Sequence, residues 1–151
     1  MDQIGPPDGS QILSSENSAE ENQIFEPVFA IYDIGCIDDY TALDGSVLNS
    51  VEMILAGSNG FSDLSLIQGF QLNIYSAPEQ GAISLAGDLA SVDLFGSPTA
   101  NPMWQPTDSY LIQADLDGVI PLAAGTVYLS LIPINEFGAN GQTNAYTSTL
   151  G

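Results

Sequence analysis

Phe70-Gln71-Leu72-Asn73-Ile74-Tyr75 alternates in period two, which puts Phe70, Leu72 and Ile74 on one side of an extended chain and Gln71, Asn73 and Tyr75 on the other. The same alternation recurs in Val127-Tyr128-Leu129-Ser130-Leu131. Outward from these two stretches, apolar runs rich in Val, Ile, Leu, Tyr and Phe are separated by clusters of Gly, Pro, Asn, Asp and Ser from Ile24 onward. Strands are predicted over 27–33, 38–43, 47–56, 65–75, 91–95, 109–116 and 126–132, with an eighth in 144–150. No segment sustains a 3.6-residue period, and the best helical candidate, 43–54, is broken by β-branched residues and by Gly45. Short strands at this spacing predict an all-β fold, an antiparallel β-sandwich of about eight strands.

The chain of 151 residues has the length of one domain, and its 44% apolar content can fill a core without staples. Residues 1–23 are rich in Ser, Asn, Glu, Gln and Pro and read as an extended or flexible N-terminal arm, leaving 24–151 as the sandwich domain. Such an arm can remain mobile or add a strand to a neighbouring molecule. Segments 81–87 and 96–106 read as ordinary long loops.

Nineteen Asp and Glu stand against no Lys, Arg or His, for a formal net charge of −19. Nucleic-acid binding is excluded, because nothing replaces the counterions of phosphate. Ser-His-Asp and Cys-His catalysis lack their imidazole, and Schiff-base chemistry lacks its amine. Cys36 is alone, so no intramolecular disulfide forms, and it reads as a small apolar filler. No apolar run approaches the roughly 20 residues that span a bilayer. The anionic surface is also repelled by anionic headgroups, so no membrane insertion is expected. Asn-x-Ser/Thr sequons are missing.

Carboxylates and hydroxyls remain, and they bind hard cations. Asp33, Asp38, Asp39 and Asp44 form the densest acidic group, and Asp115-Leu116-Asp117-Gly118 places two carboxylates on one side of an extended segment as it turns. Both groups are candidate calcium ligands, since Ca2+ gathers six to eight oxygens from Asp side chains and loop carbonyls. The competing reading is that Asp simply populates turns. Without basic side chains, carboxylate repulsion is relieved only by spacing, salt, acid or bound cations. A glycosidase dyad is disfavoured in so small a domain with a single Trp.

Three stretches resemble, in order, a family of secreted bacterial β-sandwich domains of largely unassigned function. They are Cys36-Ile37-Asp38-Asp39-Tyr40-Thr41, Ile67-Gln68-Gly69-Phe70-Gln71-Leu72-Asn73-Ile74-Tyr75 and Leu122-Ala123-Ala124-Gly125-Thr126-Val127-Tyr128-Leu129-Ser130. The resemblance implies a jelly-roll-like sandwich, an exported protein and no enzymatic activity. It departs from the family in lacking basic residues and in having Trp104 as its only tryptophan. The start, Met1-Asp2-Gln3-Ile4-Gly5-Pro6-Pro7, has neither the basic nor the apolar segment of a signal peptide, so a secreted chain is expected to have lost its leader already.

The expected function is that of an extracellular or cell-surface structural protein, not an enzyme. Its copies would self-associate into a filament, sheath or matrix, with strand exchange through the arm and calcium bridging. A surface without Lys or Arg also offers trypsin-type proteases nothing to cut. The alternative is a carbohydrate- or surface-binding module of a secreted protein, in which Trp104, Tyr110, Tyr128 and Tyr146 stack on a glycan.

Overall fold

The structure, a computed structural model, describes residues 19–95, 99–102 and 109–146. Residues 1–18 of the expected arm, the end of the expected last strand and Trp104 lie outside the described residues. The protein is all-β, with two antiparallel sheets. The strands are β1 (Ala19–Glu21), β2 (Asp38–Ala42), β3 (Val47–Ser58), β4 (Gly69–Tyr75), β5 (Ala90–Phe95), β6 (Thr99–Pro102), β7 (Ser109–Pro121), β8 (Gly125–Ile134) and β9 (Gln142–Tyr146). One sheet runs β1-β9-β3-β7-β6 and the other β2-β8-β4-β5.

The alternation in β4 decides how the sheets meet. Phe70 and Leu72 join Met53 and Leu55 of β3, Ile112 and Ala114 of β7 and Leu131 of β8 in one buried cluster, so the inner faces of the two sheets pack together. Ile74 belongs to a second cluster with Ala42, Val127 and Leu122 toward one end. The other side of β4 is buried as well, since Asn73 and Tyr75 are both 0% exposed. A short helix, α1 (Pro78–Ile83), and the turn after it lie over this outer face. The Tyr75 hydroxyl donates to Leu85 O, and Asn73 Oδ1 accepts from Ser91 Oγ (2.6 Å) and Gly87 N (3.4 Å). Gly87 is required there, because a Cβ would stand 2.2 Å from Ala90 O and 2.4 Å from Ile74 O.

Four expectations are corrected. Residues 27–33, expected as a strand, form instead a 3-10 helix, Pro27–Tyr32. Gln23 and Ile34 exchange backbone hydrogen bonds (2.9 and 3.0 Å), which closes the intervening chain into a loop. Inside that loop its N–H groups find local acceptors, Phe29 N to Glu26 O (2.8 Å) and Asp33 N to Ala30 O (3.2 Å). The expected strand over 65–75 begins only at Gly69, because Leu64–Leu66 is a 3-10 turn capped by Asp63, whose carboxylate accepts from Ser65 N (2.8 Å). Strand β7 continues to Pro121 without turning at Gly118; Leu116–Val119 bulge where the pairing shifts from Ser50↔Asp115 to Leu48↔Ile120. Finally, both expected loops hold secondary structure, α1 in one and β6 in the other.

The segment expected as an arm is joined to the body over its final residues. Ala19–Glu21 pairs antiparallel with β9 in the register Ala19↔Tyr146, Glu20↔Ala145, Glu21↔Asn144, and Asn22 and Gln23 are buried. After β8, a second short helix, α2 (Phe137–Asn140), leads to Gly141, whose φ of 66° and close approach to Gly60 and Phe61 leave no space for a side chain.

Candidate functional site

The six predicted ligands fall in separate places. Asp33 Oδ1 accepts the Phe25 N–H at 2.8 Å, so this carboxylate ties together the two ends of the 3-10 segment. Asp38 and Asp39 are neighbours on the edge strand β2, where successive side chains leave opposite faces. Asp38 Oδ1 accepts the Asp39 N–H (2.9 Å). Partial desolvation pushes the Asp38 carboxyl up, and the Asp39 charge adds to this, against the lowering effect of that N–H. Asp44 is exposed in a turn closed by Ser46, whose N–H donates to Leu43 O (3.0 Å) and whose hydroxyl accepts from Leu43 N (3.0 Å). Asp115 and Asp117 are exposed on β7, with Asp115 Oδ1 accepting from Gln113 Nε2 (3.0 Å) and Asp117 within the bulge. Among the described residues, no three His, Cys, Asp or Glu converge as a metal site.

Of the four aromatics expected to bind glycan, Tyr110 and Tyr128 lie in different sheets. Tyr110 packs on the core between the sheets, whereas Tyr128 sits in the other sheet opposite Tyr75. Cys36 is half-buried, and its thiol donates to Glu21 O (3.5 Å). Among the described residues no helix is long and apolar enough to cross a membrane.

The chemistry concentrates instead where the N-terminal segment enters the body, in a network of buried amides. Asn22 Nδ2 donates to Leu131 O (2.9 Å), and Asn22 Oδ1 accepts from Cys36 N (3.0 Å). Gln23 Nε2 donates to Asn135 O (3.0 Å), while Gln23 Oε1 accepts from Thr143 N (2.7 Å). Asn135 Nδ2 reaches Gly141 O (2.9 Å), and its Oδ1 accepts from Asn140 Nδ2 (2.9 Å). Asn140 Oδ1 in turn receives the N–H groups of Ser62 and Asp63. Each buried amide is thereby satisfied, and such a network rigidifies what it joins.

Beside it lies an apolar surface left open to water. Val28 is 76% exposed, Ile31 85% and Tyr32 61%, all on the 3-10 segment. The segment is clasped at its start by Glu26, whose Oε2 accepts from Phe137 N (2.7 Å) and whose Oε1 accepts from Gly138 N (3.0 Å). Desolvation would raise the Glu26 carboxyl, but these backbone N–H groups prevail and hold it below the ordinary glutamate value. Phe25 and Phe29 both meet the Phe137 ring, at centroid distances of 6.1 and 5.9 Å. Sequence reasoning missed the amides and Glu26, since polar residues in a Ser- and Asn-rich stretch carry no period that marks them as buried.

No protein-family model, curated protein or solved structure matches the chain.

Proposed function

We propose that the chain is a non-enzymatic extracellular structural protein whose copies associate into a filament, sheath or matrix, with calcium held between acidic faces of adjacent copies. The observation that carries this reading is that three of the four edge strands carry carboxylates and none carries a basic residue. Edge strand β1 contains Glu20 and Glu21, β2 contains Asp38 and Asp39, and β5 contains Asp93, while β6 ends in Pro102. Charged edges keep strands of neighbouring molecules apart. A chain without Lys, Arg or His has no cationic side chain with which to neutralise them, so association follows the supply of external cations or protons. Asp38, already pushed up by desolvation, takes up a proton before an ordinary aspartate as pH falls.

Kinship with secreted jelly-roll domains is part of the same proposal. The pairs β1–β9, β2–β8, β3–β7 and β4–β5 are all antiparallel and nest one inside the next. A long two-stranded ribbon folded at β4–β5 and then rolled gives this set of pairs, with β6 as an addition beside β7.

Sedimentation and negative-stain microscopy of the full chain, with calcium, with chelator and at acid pH, test the reading. Assemblies are expected with calcium or acid and monomers with chelator at neutral pH. Monomers under all three conditions would remove it.

A further inference from the structure

We infer that Ala19–Ile24 is an exchangeable strand: the cleft that it fills in its own chain takes the same segment from a second copy, with 25–33 as the hinge. The exchange deepens the self-association reading and rests on it.

The cleft is a complete receptor assembled from the far end of the sequence. Thr143 O accepts from Asn22 N (3.1 Å), Thr143 Oγ1 donates to Asn22 O (2.7 Å), Pro133 O accepts from Ile24 N (2.8 Å) and Asn135 N donates to Ile24 O (3.0 Å). Leu131 O, Asn135 O and Thr143 N complete it by satisfying the buried Asn22 and Gln23 amides. This is strand addition with two side-chain anchors, and every bond in it forms equally well with a segment from another copy. Ile34 and Cys36, which also hold the segment, stay with the receptor when the hinge opens.

The hinge is where local preference and observed conformation disagree. Pro27-Val28-Phe29-Ala30-Ile31-Tyr32 is rich in residues that favour strands, yet it forms a 3-10 helix in which no residue is buried. Such a conflict marks a segment with a second state. Extended, 25–33 spans on the order of 30 Å. In a pair of exchanged copies the two hinges run antiparallel about a two-fold axis, where Val28, Ile31 and Tyr32 find apolar neighbours that the closed form denies them. The closed form keeps the Glu26 clasp, the Asp33 tie to Phe25 and the rings on Phe137. These oppose opening and set a barrier to exchange.

The test uses the register. In a Cys36→Ala background, Glu21→Cys and Asn144→Cys place two thiols on paired residues of β1 and β9. Full-length protein is assembled with calcium, oxidised and run on non-reducing gels. Most of the assembled chain is expected to run as reducible dimers or larger ladders, while the monomer fraction carries only internal bonds. The single Glu21→Cys variant is expected to give no ladder. If assemblies form but contain only internally linked single chains, exchange is overturned and self-association stands. If no assembly forms, both fall. A second pair, Glu20→Cys with Ala145→Cys, repeats the measurement at the adjacent register position should the first pair not fold.

Discussion

Pro27–Tyr32 and Gly69–Tyr75 are both rich in strand-favouring residues and both end in Ile-Tyr, and they fold into opposite states. One reads Pro-Val-Phe-Ala-Ile-Tyr and the other Gly-Phe-Gln-Leu-Asn-Ile-Tyr. The second lies between β8 and β5, with its apolar side chains in the core and a helix over its outer face. The first has no strand on either side and shows Val28, Ile31 and Tyr32 to water. Strand propensity is a preference for a pleated, half-buried surface, so it is expressed only where the rest of the fold supplies neighbours. The polar residues invert in the same way. Asn73, predicted on the side of β4 opposite Phe70, Leu72 and Ile74, is buried under the chain that follows β4, and Asn22 and Gln23, predicted to lie in an arm, are among the most buried residues described.

The largest way to break the contrast is Leu72→Ala. With Leu72 fully buried between the sheets, the loss is expected at about 2–5 kcal/mol, read from the urea midpoint. A cost indistinguishable from that of a surface change would mean that the sheets do not pack as described. Next comes Asn22→Ala, which removes the donor to the buried Leu131 O and the side-chain acceptor of Cys36 N. It is expected to cost about 1–3 kcal/mol in the same assay and to speed proteolysis of the N-terminal segment.

Glu26→Gln sharpens the contrast through pH. Because the folded Glu26 carboxyl is held below its ordinary value, its contribution is present above the unfolded value and is lost as pH falls through the folded one. Asp33 at the other end of the segment and Glu136 beside α2 are the neighbouring acids. General repulsion falls on acidification and acts in the opposite direction, so the readout is the difference between wild type and variant. That difference is expected to shrink from neutral pH toward pH 3. A constant difference would show that the clasp does not titrate. The smallest effect belongs to Ile31→Ala, expected within about 0.5 kcal/mol on monomer stability because the side chain is already in water. The same change is expected to reduce calcium-driven assembly, measured by sedimentation, and equal assembly would disconnect that surface from association.

How legible was the molecule from its residues? The strands over β2, β3, β4, β5, β7 and β8 were, because short apolar runs bounded by Gly, Pro, Asn, Asp and Ser are a local record of extended chain that enters a core. The chain's lack of any basic side chain was legible too, together with the reactions this forbids. The 3-10 segment was not, because its residues favour strand and only the Gln23–Ile34 pair closes it off from a sheet. The scattering of the six aspartates was equally hidden, since Asp33, Asp38, Asp39 and Asp44 are close along the chain but belong to a tie, an edge strand and a turn. The amide network was hidden for a further reason. Asn22 and Gln23 meet Leu131, Asn135 and Thr143 across more than a hundred intervening residues, a pairing with no local trace.

Composition and periodicity therefore determined that the chain is a strand-rich polyanion with an apolar core and no basic chemistry of its own. Only the tertiary structure decided which apolar hexapeptide became a buried strand, which polar residues became the interior of the N-terminal joint and which carboxylates came to lie on an edge strand. The physical reason is that burial and hydrogen-bond satisfaction are properties of neighbours, and in a sheet the neighbours come from distant parts of the chain.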